Sequence, residues 1–97
     1  MATYCVLGTF TEQGVRKAKD SPKRADDFKQ MAKKCGVTVK DHYWAQGQYD
    51  IVLILEAPDD LAVTSLALSL GALGNVRTQT LRLFSAADMK TIIGKMV

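Results

Sequence analysis

The chain has a single histidine, His42, which excludes a histidine-rich metal centre. Its only two cysteines, Cys5 and Cys35, have no metal-like spacing, and neither has a histidine beside it to activate a thiol nucleophile. Both sit in apolar patterns and read as small buried hydrophobes, so the chain is expected to be reduced and cytoplasmic. There is no glycine-rich phosphate loop, no Walker motif and no Ser-His-Asp order. No apolar run approaches the ~20 residues that a membrane span requires. The start, Met1-Ala2-Thr3-Tyr4, lacks the basic region and cleavage site of a signal peptide. The composition therefore points to no metal and no recognisable cofactor, leaving any cofactor unknown.

A length of 97 residues is one domain, residues 1–97. A chain this short buries roughly 60–65% of the surface its unfolded form exposes, so pairing with a second copy would add to a thin core. Net charge is +3 and unevenly placed. Residues 1–40 hold nine Lys/Arg and four Asp/Glu, and residues 41–97 hold four and six. No aromatics interleave with the lysines, as base stacking would require, so the basic half reads as a solvated helix face. Nucleic acid is not the expected partner.

Residues 3–10 are apolar on both alternating sets, the pattern of a central strand covered on both faces. Thr11 to Asp20 reads as a loop with a helical turn near Val15–Lys19. A helix is expected to start with Ser21 as N-cap and Pro22 at the first helical position. Ala25, Phe28, Met31, Ala32 and Cys35 form its apolar stripe, and Gly36 ends it. Strands follow at 37–46 and 49–57, joined by Gly47-Gln48 in a type II′ turn. That register pairs Trp44 with Ile51 and His42 with Leu53 on one face, and Tyr43 with Val52 and Asp41 with Ile54 on the other. Asp59 caps a second helix striped by Ala62, Leu66, Leu70 and Leu73 and stopped by Gly74. A last strand covers 76–84. Ser85 with Asp88 resembles a capping box opening an amphipathic helix with Met89, Ile92, Ile93 and Met96.

The order β-α-β-β-α-β plus a helix is the α+β, ferredoxin-like sandwich of a four-stranded antiparallel sheet with two helices on one face. Two helices leave the other face open. That face is half apolar, which argues for a homodimer or higher homo-oligomer; the alternative is a monomer whose C-terminal helix folds across it.

Five segments carry a resemblance over nearly the whole length: Gly47-Gln48-Tyr49-Asp50, Tyr43-Trp44 before it, Asp20-Ser21-Pro22-Lys23-Arg24-Ala25, Glu56-Ala57-Pro58-Asp59-Asp60, and Leu73-Gly74-Asn75-Val76-Arg77-Thr78. The chain resembles the GYD-domain family, named for its Gly-x-Tyr-Asp signature. This resemblance implies the dimeric α+β barrel variety of the ferredoxin-like fold and supplies no activity. More distantly the chain is similar to the ligand-binding domain of Lrp/AsnC-type regulators, in which small effectors sit at subunit interfaces near such a hairpin. It has no room for their DNA-binding helix-turn-helix.

The candidate ligand-binding residues are His42, Trp44, Gly47, Tyr49, Asp50, Arg77 and Arg82. Asp50 either anchors the turn, by accepting backbone N–H groups or pairing Arg77 or Arg82, or orients a ligand as a polar pocket group. His42 shares a face with Trp44, a pair that invites comparison with cofactor-free monooxygenases of the same fold class. Arg77 and Arg82 suit bidentate capture of a carboxylate or phosphate. Two functions follow. One is a non-enzymatic, homo-oligomeric small-molecule-binding or assembly module. The alternative is a small dimeric-barrel enzyme, monooxygenase- or isomerase-like, for which His42, Asp50 and Arg82 would have to share a cavity.

Overall fold

The computed structural model describes all residues from Met1 to Val97. Strand β1 (Ala2–Phe10) leads into a short helix α1 (Glu12–Arg16) and a 3-10 turn (Ala18–Asp20). Helix α2 (Ser21–Lys34), strands β2 (Thr38–Trp44) and β3 (Ile51–Ala57), helix α3 (Asp60–Ala72), strand β4 (Val76–Leu83) and helix α4 (Ala86–Gly94) follow. The sheet is antiparallel in the order β2-β3-β1-β4. This is the expected α+β, ferredoxin-like arrangement, and β1 is central as its two-sided apolar pattern requires.

Alternation along β1 divides the sheet. Tyr4 and Val6 pair with Leu55 and Leu53, and these four join Phe28 and Ala32 of α2 and Val63 and Leu66 of α3 in one core. Cys5, Leu7, Val52, Ile54, Leu81 and Leu83 alternate onto the opposite face. No helix of this chain covers them. The expected hairpin register is present: Trp44 lies opposite Ile51, His42 opposite Leu53, Tyr43 opposite Val52 and Asp41 opposite Ile54. A β-bulge at Lys40 breaks the simple alternation. It puts Val39 and His42, three apart, on the same helix-covered side.

Three local expectations change. Ser21 is not the N-cap of α2. The 3-10 turn runs straight into the helix, so Ser21 already has helical φ −54° and ψ −42°, and Asp20 precedes the helix with no side-chain cap. The hairpin is wider than a two-residue turn. Its last backbone bond runs from Ala45 N–H to Asp50 C=O at 2.8 Å, and Gln46 and Tyr49 are not bonded. Gly47 at the tip still has φ 104°, which L side chains rarely adopt. Finally, α4 does not close over the open face. It has the full Ser85/Asp88 capping box but buries no residue. Its stripe stays in solvent, with Ile93 at 55% and Met96 at 72% exposure. No helix is long and apolar enough to cross a membrane.

The segment after β1 is docked by one close approach. A Cβ on Gly14 would lie 1.9 Å from the carbonyl oxygen of Asn75. Around it, Thr11 N–H donates to the same carbonyl at 3.1 Å, and the Thr11 hydroxyl donates to Gly74 C=O at 2.6 Å. Gly→Ala in a helix normally gains about 1 kcal/mol. Here the sign should reverse. Gly14→Ala is expected to lose at least about 2 kcal/mol in urea unfolding, because α1 must part from the α3–β4 loop.

Candidate functional site

On the helix-covered side, α2 and α3 do not close completely over the hairpin end of the sheet. A cavity of about 90 Å³ remains, walled by Phe28 and Met31 of α2, His42 and Trp44 of β2, Leu53 of β3 and Leu70 of α3. Its mouth carries Ser21, Arg24, Asp27 and Asn75. The positions 21, 24, 27, 28 and 31 recur at helical spacing, so one flank of α2 supplies both the mouth and an inner wall. The bulge at Lys40 delivers His42 to the opposite wall.

His42 stacks on Trp44 with ring centroids 4.6 Å apart and planes 30° from parallel. Both imidazole nitrogens are shielded from solvent, and neither has a hydrogen-bond partner. Burial, and then the nearby Lys29 ammonium, push the imidazole below its ordinary range. The neutral ring therefore belongs to the cavity wall at neutral pH.

Beyond the mouth, a wider polar hollow shares Arg24, Asp27 and Asn75 with the cavity and adds Gln13, Lys17, Asp20 and Lys23. Arg24 fixes this junction. Its Nη2 donates to Gly14 C=O at 3.1 Å, Lys17 C=O at 2.8 Å and the Ser21 hydroxyl at 3.3 Å, and its guanidinium lies 6.0 Å from the Phe10 ring centre. Gln13 Nε2 donates to Asn75 Oδ1 at 3.0 Å and to Leu73 C=O at 3.1 Å.

The seven sequence candidates separate into five places. His42 and Trp44 meet in the cavity. Gly47 sits at the hairpin tip, where a side chain would meet nothing within 4 Å. Tyr49 and Arg77 lie on the open sheet face. There the Tyr49 hydroxyl donates to Gln79 Oε1 at 3.0 Å, and Arg77 is exposed opposite Thr9. Asp50 pins the hairpin to β1. Its Oδ2 accepts from Phe10 N–H at 2.8 Å, and its own N–H donates to Gly8 C=O at 2.8 Å. It pairs with neither arginine. Arg82 is on the helix side, opposite Tyr4 and away from the hairpin. Its guanidinium lies between the rings of Tyr4, at 5.5 Å, and Phe84, at 4.7 Å. Near it the Tyr4 hydroxyl donates to Asp60 Oδ1 at 2.5 Å, which holds the phenol above its usual range. The enzymatic reading needed His42, Asp50 and Arg82 in one cavity, and they are not together.

Sequence reasoning did not single out Arg24, Asp27 or Asn75. The available signal was the α2 flank itself, since Arg24 and Asp27 adjoin the Ala25, Phe28 and Met31 stripe at its polar edge.

Two expectations follow from this geometry. Asp50→Ala strands the half-buried Phe10 N–H, so urea unfolding should show a loss of about 1–3 kcal/mol. His42 binds protons less readily folded than unfolded, so its contribution to stability is complete above the unfolded value of about 6.5 and is lost as pH falls through it. The unfolding midpoint should therefore drop between about pH 7 and pH 5 in the parent chain. His42→Phe should remove that component, leaving the carboxylate-driven loss at lower pH.

The GYD domain model matches residues 4–93. A protein of Thermus thermophilus called "Glutamine synthetase and cystathionine beta-lyase binding protein" is 34% identical over 90 residues, covering 92% of this chain and 95% of that protein. No solved structure gives a significant match. With the signature Gly47-Gln48-Tyr49-Asp50 at its hairpin and the family model spanning β1 to α4, the chain belongs to the GYD-domain family.

Proposed function

We propose that this chain is a non-enzymatic, homo-oligomeric binding module. It pairs with a second copy through its open sheet face and holds another protein. The carrying observation is the matched pair of uncovered apolar surfaces. Leu7, Val52, Ile54 and Leu83 on the open face are only partly covered, Leu81 is 38% exposed, and α4 presents Met89, Ile92, Ile93 and Met96 to solvent. A nine-residue helix is marginal alone in water. Docking on a partner copy would stabilise it, and a two-fold axis would satisfy both surfaces at once. The polar groups of the face, Arg77, Gln79, Tyr49 and Asp41, then border the contact.

The Thermus thermophilus relative is named for binding two enzymes. This supports a partner of the same kind for the present chain, a metabolic enzyme such as a glutamine synthetase. The enzymatic alternative has one observation in its favour, a neutral His42 beside Trp44 in a cavity. It lacks a second catalytic group there, because Asp50 and Arg82 are engaged elsewhere.

Native mass spectrometry of the purified chain tests the reading. A dimer or larger assembly is expected. Leu81→Lys places a charge on the open face of the edge strand β4 in each copy and should weaken association by about two orders of magnitude or more. A parent chain that stays monomeric at micromolar concentration, or a variant that associates as tightly, overturns the paired-face reading. A parent oligomer that forms no complex with added glutamine synthetase limits the module to self-assembly.

A further inference from the structure

The cavity beneath the hairpin differs from the open face in one respect. It is a partly open apolar recess with charged residues at its mouth. An apolar cavity of about 150 Å³ takes one benzene ring, so about 90 Å³ takes a branched group of about four carbons. Phe28, Trp44, Leu53 and Leu70 surround that volume, and His42 adds a neutral ring. The mouth and hollow carry Lys17, Lys23 and Arg24 against Asp20 and Asp27, and Lys29 adds a further positive charge near the chamber. The Lys23–Asp27 contact is long, at 3.7 Å, and both side chains are mostly exposed. Positive charge therefore prevails around an entrance whose interior accepts only apolar atoms. A ligand suited to both parts has a short aliphatic tail and an anionic head.

We propose that the cavity between α2, β2 and α3 binds a small aliphatic carboxylate. The branched tail lies among Phe28, Trp44 and Leu70, and the carboxylate meets Arg24 at the mouth and Lys23 in the adjoining hollow. The site lies on the side of the sheet opposite the proposed pairing face, within one copy of the chain. It therefore stands or falls separately from the oligomer reading.

Trp44 is the only tryptophan and forms part of the chamber wall, so its fluorescence reports occupancy. The probe is 3-methylbutanoate titrated into the full chain, with binding heat as an independent readout. A saturable fluorescence change with matching heat is expected. 3-Methylbutanamide, of the same shape without the charge, should bind about twofold to fivefold more weakly, as for a solvent-exposed ion pair. Acetate, which lacks the tail, should bind at least about thirtyfold more weakly. Ala25→Leu fills the chamber from α2 and should abolish binding. Lys23→Glu, at an exposed position, should weaken the acid and spare the amide. Absence of any saturable signal with 3-methylbutanoate overturns the proposal. So does binding that survives Ala25→Leu in a folded chain, and so does an amide that binds as tightly as the acid. The oligomeric state of the same Ala25→Leu sample by native mass spectrometry should be unchanged, which keeps a failure here distinct from a failure of the paired-face reading.

Discussion

Two helices can cover one face of a four-stranded sheet and no more, and the rest of this structure follows from that limit. α2 and α3 close over Tyr4, Val6, Leu53 and Leu55, which gives the chain its core. Only 14 of 97 residues are buried, a thin interior for a domain of this size. The strands that build the core must also present Leu7, Val52, Ile54 and Leu81 to the other side, because side chains alternate across a strand. The uncovered face is thus a geometric consequence of the covered one. α4 adds no cover to the open face, since it buries no residue.

The incomplete closure of α2 and α3 at the hairpin end has a second consequence. A cavity opens beside Trp44 between α2, β2 and α3. Its mouth is held by backbone-directed contacts: Arg24 on Gly14 and Lys17, Gln13 on Leu73, and Thr11 on Gly74. These tie the β1–α1, 3-10 and α3–β4 segments into one collar. Asp50 secures the same end from the other side by holding the hairpin against Phe10 and Gly8. The signature carboxylate is therefore part of the scaffold that shapes the site.

Much of the candidate site was legible in part. His42 and Trp44, two apart on a strand, had to share a face. The Trp44/Ile51 register followed from the apolar alternation around Gly47. Which face that was could not be read, since both sets mix apolar and polar residues and a bulge at Lys40 shifts the earlier half of the strand. Arg24 looked like one more lysine-rich surface residue because its partners are carbonyl oxygens of Gly14 and Lys17, and carbonyls leave no mark in a sequence. Arg82 looked suited to a carboxylate, whereas its guanidinium stacks on Tyr4 and Phe84, a contact made only when β4 lies beside β1.

By itself the sequence determined what depends on near neighbours. That includes the helix stops at Gly36 and Gly74, the caps at Asp59 and Ser85, the strand alternation and the element order that implies this fold. These are properties of backbone dihedrals and of periods of 2 and 3.6 residues, and they are local. Tertiary structure decided what depends on residues far apart in the chain. It set Gly14 against Asn75, gathered residues from α2, β2 and α3 around one cavity, and sent Asp50 to a β1 amide while His42 lost every partner. Such contacts arise when separate elements pack at fixed distances, and no local pattern encodes those distances.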